Sequence, residues 1–227
     1  MTLFESLKRV GKGLLRPNPL AREVIAKRRE RHGSDRGGWV VYPDDLSIES
    51  VVYSCGVGDD ISFDLSLMAK YGVIINAFDP TPKSIAWIRS QSLLPGFILH
   101  EYGISNYDGT APFHPPANPR FVSHSILPQQ VHSEDSLEVP VRRIGTMMLE
   151  LGHDHIDILK MDIEGAEYAV IHDVLGSQLE VRQILVEFHD RFPSVGWDRT
   201  AETVAALFRS GYRLFNIEED NYSFLLD

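Results

Sequence analysis

The chain has 227 residues, 43% of them hydrophobic, with 22 basic and 32 acidic side chains and a formal net charge of −10. That length and apolar content fit one α/β domain with a short extension. The single Cys55 excludes an internal disulfide framework and a cysteine-built metal knot, and no apolar run approaches the roughly 20 residues of a membrane-spanning helix, so a reducing, cytoplasmic setting is expected.

Charge is uneven along the chain. Residues 1–40 carry ten basic against four acidic side chains, leaving twelve basic against 28 acidic in the remainder. Leu3, Phe4, Leu7, Val10, Leu14 and Leu15 recur at helical spacing, with Lys8, Arg9 and Lys12 between them, until Pro17 and Pro19 interrupt the pattern. Such a basic amphipathic helix either lies on an anionic membrane or a partner, or caps the domain with its charges in water. A second basic helix is expected from Pro19 or Leu20 to Arg31, and Gly33-Ser34-Asp35-Arg36-Gly37-Gly38 reads as a linker. Residues 1–38 are thus expected to be a basic helical extension, with residues 3–31 either capping the domain or docking on a membrane or protein, and the main domain at 39–227. Nucleic acid is not expected as a partner, since the basic residues are not interleaved with aromatics and the acidic body repels phosphate.

The stretch Val51-Val52-Tyr53-Ser54-Cys55-Gly56-Val57-Gly58-Asp59-Asp60 predicts a strand and a tight turn, with a helix following from Ile61. Glycines at 56 and 58 let backbone N–H groups approach a ligand, and the helix start adds unpaired donors. A second apolar run ends at Asp79, where nucleotide-binding βαβ units hold ribose hydroxyls. An adenosine-containing cofactor is implied, held by Ser54, Cys55, Gly56, Gly58, Asp60 and Asp79. The third glycine of a dinucleotide fingerprint is absent, because Ile61 stands in its place, and this lowers a nicotinamide reading.

Thr81-Pro82 predicts a helix start, and Phe97–Tyr102 a third strand. The turn after it, Gly103-Ile104-Ser105-Asn106, offers Ile104 and Ser105 either to an adenine pocket or to an ordinary turn. Residues 107–138 lose regular patterning and are expected to form a variable substrate or lid segment. A strand over Leu137–Arg143 and a helix over Ile144–Leu151 follow. A buried strand then runs into Asp162 and Glu164 at its carboxyl end, where open α/β sheets bind ligands. A fifth strand ends at Glu187, His189 and Asp190. Asp198 is read as the cap of a last helix, and Tyr212–Ile217 with Tyr222–Leu226 as an antiparallel hairpin.

Lys160-Met161-Asp162-Ile163-Glu164-Gly165-Ala166-Glu167 and Gln183-Ile184-Leu185-Val186-Glu187-Phe188-His189 resemble the K-[IM]-D-[VI]-E-G-x-E and E-x-H segments of FkbM-family methyltransferases. Val51 to Ser62, Phe78-Asp79-Pro80-Thr81-Pro82 and the region from Arg143 to Met148 extend the resemblance over roughly residues 48–227. It implies a class I methyltransferase, Rossmann-like: a single doubly wound, mostly parallel seven-stranded sheet with an antiparallel C-terminal hairpin. It further implies S-adenosyl-L-methionine as donor and a hydroxyl of a sugar, glycan or natural product as acceptor. The family pattern D-x-G-x-x-x-G is altered here, with Ser54 for the acid and Asp60 for the last glycine. Either Asp60 takes over the donor's amino group, or the chain is a non-catalytic relative.

The expected catalytic set is Asp162, Glu164, His189 and Lys160, with Asp162 also facing the donor. Methyl transfer needs an in-line approach and a base that takes the hydroxyl proton. A divalent cation in the carboxylate and imidazole cluster is compatible with this chemistry, but the candidate ligands are too scattered along the chain to define a metal site by spacing. The His153-Asp154-His155 triplet is read as solvated loop rather than metal site, and His100, His114, His124 and His132 as residues on or near the variable segment.

Overall fold

The computed structural model describes residues 18–115, 124–125 and 136–227. The amphipathic pattern at residues 3–15, and His132, lie outside the described residues. The second expected basic helix is a correction. Pro19–Glu23 is a single 3-10 turn capped by the Asn18 side chain, the chain then runs extended, and Glu30–His32 is a strand, β1. β1 pairs antiparallel with β2, Trp39–Val41. Tertiary contacts outweigh local helix preference here. The backbone N–H of Ile25 donates to Leu214 at 2.9 Å, and the buried ring of His32 lies 2.8 Å from Ser66 Oγ and 2.7 Å from Glu30. The stretch read as a linker is the turn of this hairpin.

From β3 (Val51–Cys55) the chain alternates strand and helix: α1 (Ser62–Tyr71), β4 (Ile74–Phe78), α2 (Pro82–Arg89) and β5 (Phe97–His100). Short strands β6 (Gly103–Ile104), β7 (Gly109–Phe113) and β8 (Leu137–Arg142) form a separate three-stranded sheet in the order β6-β8-β7. Then come α3 (Ile144–Leu151), β9 (Ile156–Met161), α4 (Glu167–Gly176), β10 (Val181–Glu187), α5 (Trp197–Arg209), β11 (Tyr212–Glu218) and β12 (Asn221–Leu226). The N-cap of α5 is Gly196, and Asp198, expected as the cap, sits in the first turn instead.

The large sheet has seven strands in the order β11-β12-β10-β9-β3-β4-β5 and is mixed. β10, β9, β3, β4 and β5 pair in parallel, while β12 is antiparallel to both β10 and β11. Successive residues of a strand face opposite sides, and the two cores follow that parity. Tyr53, Cys55, Leu159, Met161, Ile184 and Val186 pack with α3, α4 and α5. Val52, Ile158, Leu185, Ile75 and Ala77 pack with α1, α2 and the hairpin residues Trp39 and Val41. Burial on both faces explains why these strands are nearly continuous apolar runs. Among the described residues, no helix is long and apolar enough to cross a membrane.

Candidate functional site

A cleft of about 400 Å3 opens at the carboxyl ends of β3, β4, β9 and β10. One wall is the turn after β3. Gly56 and Gly58 hold φ of +72° and +58°, conformations favouring glycine. A β-carbon on Gly56 would lie 1.8 Å from the carbonyl oxygen of Asp162, so the turns after β3 and β9 touch through their backbones. Gly56 N–H donates to Phe78 O at 2.9 Å, and Asp162 N–H to Cys55 O at 3.0 Å. Lys160 Nζ donates to Gly56 O at 2.7 Å and to Cys55 O at 3.4 Å, and stands 5.4 Å from the Trp39 ring centre. Lys160 lines the cleft, but its hydrogen bonds hold the glycine turn.

Asp79, buried at the end of β4, accepts from Gly58 N–H at 2.9 Å with one oxygen and from Thr81 N–H at 2.8 Å with the other. Burial pushes its carboxyl up, against these hydrogen bonds. The Thr81 hydroxyl is a further hydrogen-bond partner, and the carboxylate lines the cleft. Asp60 also lines the cleft, yet its oxygens are engaged. Ser34 Oγ donates to it at 2.7 Å, Ser62 N–H at 3.0 Å, and Arg36 Nε lies 3.6 Å away. It starts α1 and anchors the β1–β2 turn, whose Arg36 and Gly37 form one rim of the cleft.

Ser54 is wholly buried within β3 and Cys55 behind the turn, so neither lines the cleft. Burial pushes the Cys55 thiol up to about 12, which leaves it un-ionised and unreactive. Ser54 lies beside Asp64 of α1, whose carboxyl is pushed up to about 6 by burial, with Lys160 and the Ser54 hydroxyl opposing the shift. Ile104 lines the cleft; Ser105 is buried beside it, its N–H bonded to Arg142 O at 3.0 Å.

The opposite wall gathers residues from β9 and β10. Glu164 has φ of +50°, uncommon for a residue with a β-carbon, and Gly165 has +102°. Glu167, wholly buried at the start of α4, pins this turn. Its Oε2 accepts from Gly165 N–H at 2.8 Å, while Oε1 accepts from His189 N–H at 3.0 Å and lies 3.1 Å from His189 Nδ1. A carboxylate only accepts, so Nδ1 carries the hydrogen. The other ring nitrogen, Nε2, lies 3.7 Å from Asp162, 3.4 Å from Glu164 and 3.8 Å from Glu187. Burial opposes charge on His189, but the hydrogen bond to Glu167 and the carboxylates of Glu167, Glu164 and Asp162 outweigh it, and the imidazole is pushed up to about 9. Burial, followed by repulsion from Asp162, pushes Glu187 up to about 7. Arg191 bridges Glu187 at 3.3 Å and Asp220 at 3.1 Å on the outer rim.

The fold thus places Gly56, Gly58, Asp60, Asp79, Ile104, Lys160, Asp162 and Glu164 around one cleft, with Glu187 beside them and the His189 ring behind. Of the remaining histidines, His124 lines the cleft and stacks on Phe113, while His100 stacks on Phe78 at 4.7 Å. His153 is not bare loop: its Nδ1 lies 2.9 Å from the hydroxyl of Tyr53. Sequence reasoning missed Glu167, Trp39 and the β1–β2 rim. Glu167 closes the quoted K-M-D-I-E-G-A-E segment, so its place at a helix start beside a glycine was the available signal; the rim carries none, since it depends on a hairpin closed by tertiary contacts.

The profile described as Methyltransferase FkbM domain matches residues 37–214. The chain is 31% identical over 145 residues to the human protein named probable methyltransferase-like protein 24, covering 63% of this chain and 33% of that one. The rat protein of the same name is 27% identical over 180 residues, 74% of this chain and 43% of the relative. A protein of Sinorhizobium fredii named 2-O-methyltransferase NoeI is 29% identical over 151 residues, 60% of this chain and 61% of the relative. The chain therefore spans less than two thirds of the length of each of these relatives.

Proposed function

Since the chain belongs to the FkbM-domain methyltransferase family, we propose that it transfers a methyl group from S-adenosyl-L-methionine to a hydroxyl of a sugar, glycan or natural product. The observation that carries this reading is a cleft in which a glycine turn and a strand-end aspartate face a carboxylate and imidazole cluster. The side chains present suit an adenosyl donor. Gly56 and Gly58 keep the wall at backbone thickness, Asp79 sets a carboxylate on the cleft at the strand end where ribose hydroxyls are held, Ile104 offers apolar surface, and Asp162 supplies a carboxylate for an ammonium group. When bound, the donor supplies an electrophilic methyl on a sulfonium sulfur.

The residues of the chain then have three tasks. Lys160 and the Gly56–Asp162 contact fix the donor wall relative to the acceptor wall, which is what an in-line approach requires. Asp162, Glu164 and Glu187 hold the acceptor hydroxyl. With the donor bound, this cluster would take up the hydroxyl proton as the acceptor oxygen receives the methyl group, S-adenosylhomocysteine being the other product. Asp60 acts through the β1–β2 rim rather than on the donor's amino group. Oxygen as the acceptor atom is supported by the name of the rhizobial relative. A second reading, a donor-binding relative that transfers nothing, is favoured by Ser54 at the position where the family pattern has an acid.

The test is calorimetric titration with S-adenosylmethionine, S-adenosylhomocysteine and NAD. Micromolar binding of the first two and none of NAD is expected, weakened by about tenfold, or about 1.4 kcal/mol, in Asp79→Asn with the fold retained by circular dichroism. NAD binding, or no loss in Asp79→Asn, overturns the donor assignment. Donor binding with no transfer to any hydroxyl acceptor selects the second reading.

A further inference from the structure

The acceptor end of the cleft holds an arrangement that methyl transfer alone does not require. Single ligand atoms of Asp162, Glu164 and His189 all lie within 4.8 Å of one another. His189 is fully buried, and its Nε2 has no hydrogen-bond partner although three carboxylate oxygens lie at 3.4 to 3.8 Å. A lone pair on Nε2 is repelled by those oxygens, and an N–H there is aligned with none of them. Donor atoms about 2.1 Å from an octahedral cation stand about 3.0 Å apart in cis and about 4.2 Å in trans, and the 3.4 to 3.8 Å from His189 Nε2 to the carboxylates lie between these values, so small side-chain shifts bring the set onto one ion.

Two further observations point the same way. Nδ1 of the same ring donates to Glu167, the outer contact that orients metal-bound imidazoles. Four carboxylates, Asp162, Glu164, Glu167 and Glu187, surround His189, and Arg191 pairs with Glu187 on the outer side. We propose that Asp162, Glu164 and His189 Nε2, with Glu187 alongside, bind one divalent cation of the manganese class, open on the cleft side. An oxygen-rich set with one imidazole suits Mn2+ better than Mg2+, which favours oxygen and water alone, or a structural zinc, which favours nitrogen and sulfur. Two neighbouring hydroxyls of the acceptor complete its coordination, which selects vicinal diols as substrates and lowers the pKa of the hydroxyl to be methylated. That last step rests on the hydroxyl-methylation reading; the cation site does not.

The full chain, stripped of metal with a chelator, is titrated with MnCl2 by calorimetry and by loss of the free-Mn2+ electron paramagnetic resonance signal, in parallel with S-adenosylhomocysteine. One Mn2+ per chain is expected, with affinity falling about tenfold or more in His189→Gln and in Glu164→Gln. Glu202→Gln, which removes an exposed acid on α5, leaves it unchanged. Glu164 is partly exposed and the amide preserves its shape, so Glu164→Gln carries the test if His189→Gln fails to fold. Absence of Mn2+ binding, or binding indifferent to Glu164→Gln, overturns the site and leaves His189 holding a proton among the carboxylates. S-adenosylhomocysteine binding without Mn2+ binding overturns the cation alone. Mn2+ binding without it keeps the cation site and overturns the methyltransferase reading.

Discussion

At the donor end of the cleft, Asp79 gives one oxygen to Gly58 N–H and the other to Thr81 N–H, and Asp60 is tied to Ser34 and Ser62. At the acceptor end, Asp162, Glu164 and Glu187 crowd a histidine nitrogen that is hydrogen-bonded to none of them. Backbone donors fix the first region, so its shape is set before any ligand arrives. The second concentrates carboxylates around one buried ring, and Glu167 bonds that ring and the turn before it from below. The difference teaches where function is exposed to mutation: the donor wall spreads its contacts over several groups, whereas in the acceptor wall one carboxylate, Glu167, takes three hydrogen bonds at once.

Breaking that support carries the largest expected effect. Glu167→Ala removes the acceptor for Gly165 N–H, His189 N–H and His189 Nδ1–H at once, and leaves three buried donors without their partner. Loss of one member of such a buried pair costs roughly 3–5 kcal/mol. Urea denaturation should show that loss, and single-turnover transfer should collapse while any residual folded protein still binds S-adenosylhomocysteine. A Glu167→Ala protein as stable as the parent would mean that the acceptor wall has support elsewhere and that the contrast between the two walls is wrong.

Gly56 is where the walls meet, and it sharpens the contrast. Gly56→Ala places a β-carbon 1.8 Å from the Asp162 carbonyl oxygen at a φ of +72°. The left-handed conformation alone costs about 1–2 kcal/mol, and the clash displaces the β9 turn, for a total of roughly 3 kcal/mol. Donor affinity and transfer should fall together, since one substitution shifts both walls. If binding falls and transfer from bound donor does not, the two walls are mechanically independent.

How much of this was legible follows the same division. Val51–Asp60 announces its strand, turn and helix through local pattern, and Asp79 and Asp162 stand at strand ends that apolar runs mark plainly. The gathering of Glu187 and His189 against Glu164 depends on the parallel pairing of β10 with β9, which places Val186 beside Met161. No spacing in the chain encodes that register, so those residues were identified without their contacts. Residues 20–31 misled because a proline start, a run of basic residues and a following Gly33 resemble a helix with its ends, while burial of His32 and pairing with Trp39–Val41 decide the outcome. Asp60 carries the acid a donor amino group calls for, but its bond to Ser34, distant in sequence, was not legible.

The donor wall conceals one unpaired cost of its own, and pH exposes it. Asp64 is wholly buried beneath Ser54, and burial raises its carboxyl from an ordinary value of 3.8 to about 6. The folded chain therefore holds this proton more tightly than the unfolded one. Its contribution to stability is complete below the unfolded value, declines as pH rises from 3.8 toward 6, and is lost above that. The interval of about two units corresponds to about 3 kcal/mol at most, reduced by whatever relaxation lets water or Lys160 reach the carboxylate. Asp64→Asn is uncharged throughout, so its stability relative to the parent should climb between pH 4 and pH 6.5 and then level. Urea midpoints measured across that range for both proteins give the difference directly, free of the titration of every other group. Parallel curves would show that Asp64 ionises in the fold as it does in water, and the donor wall would then hold a charge that its packing had already accommodated.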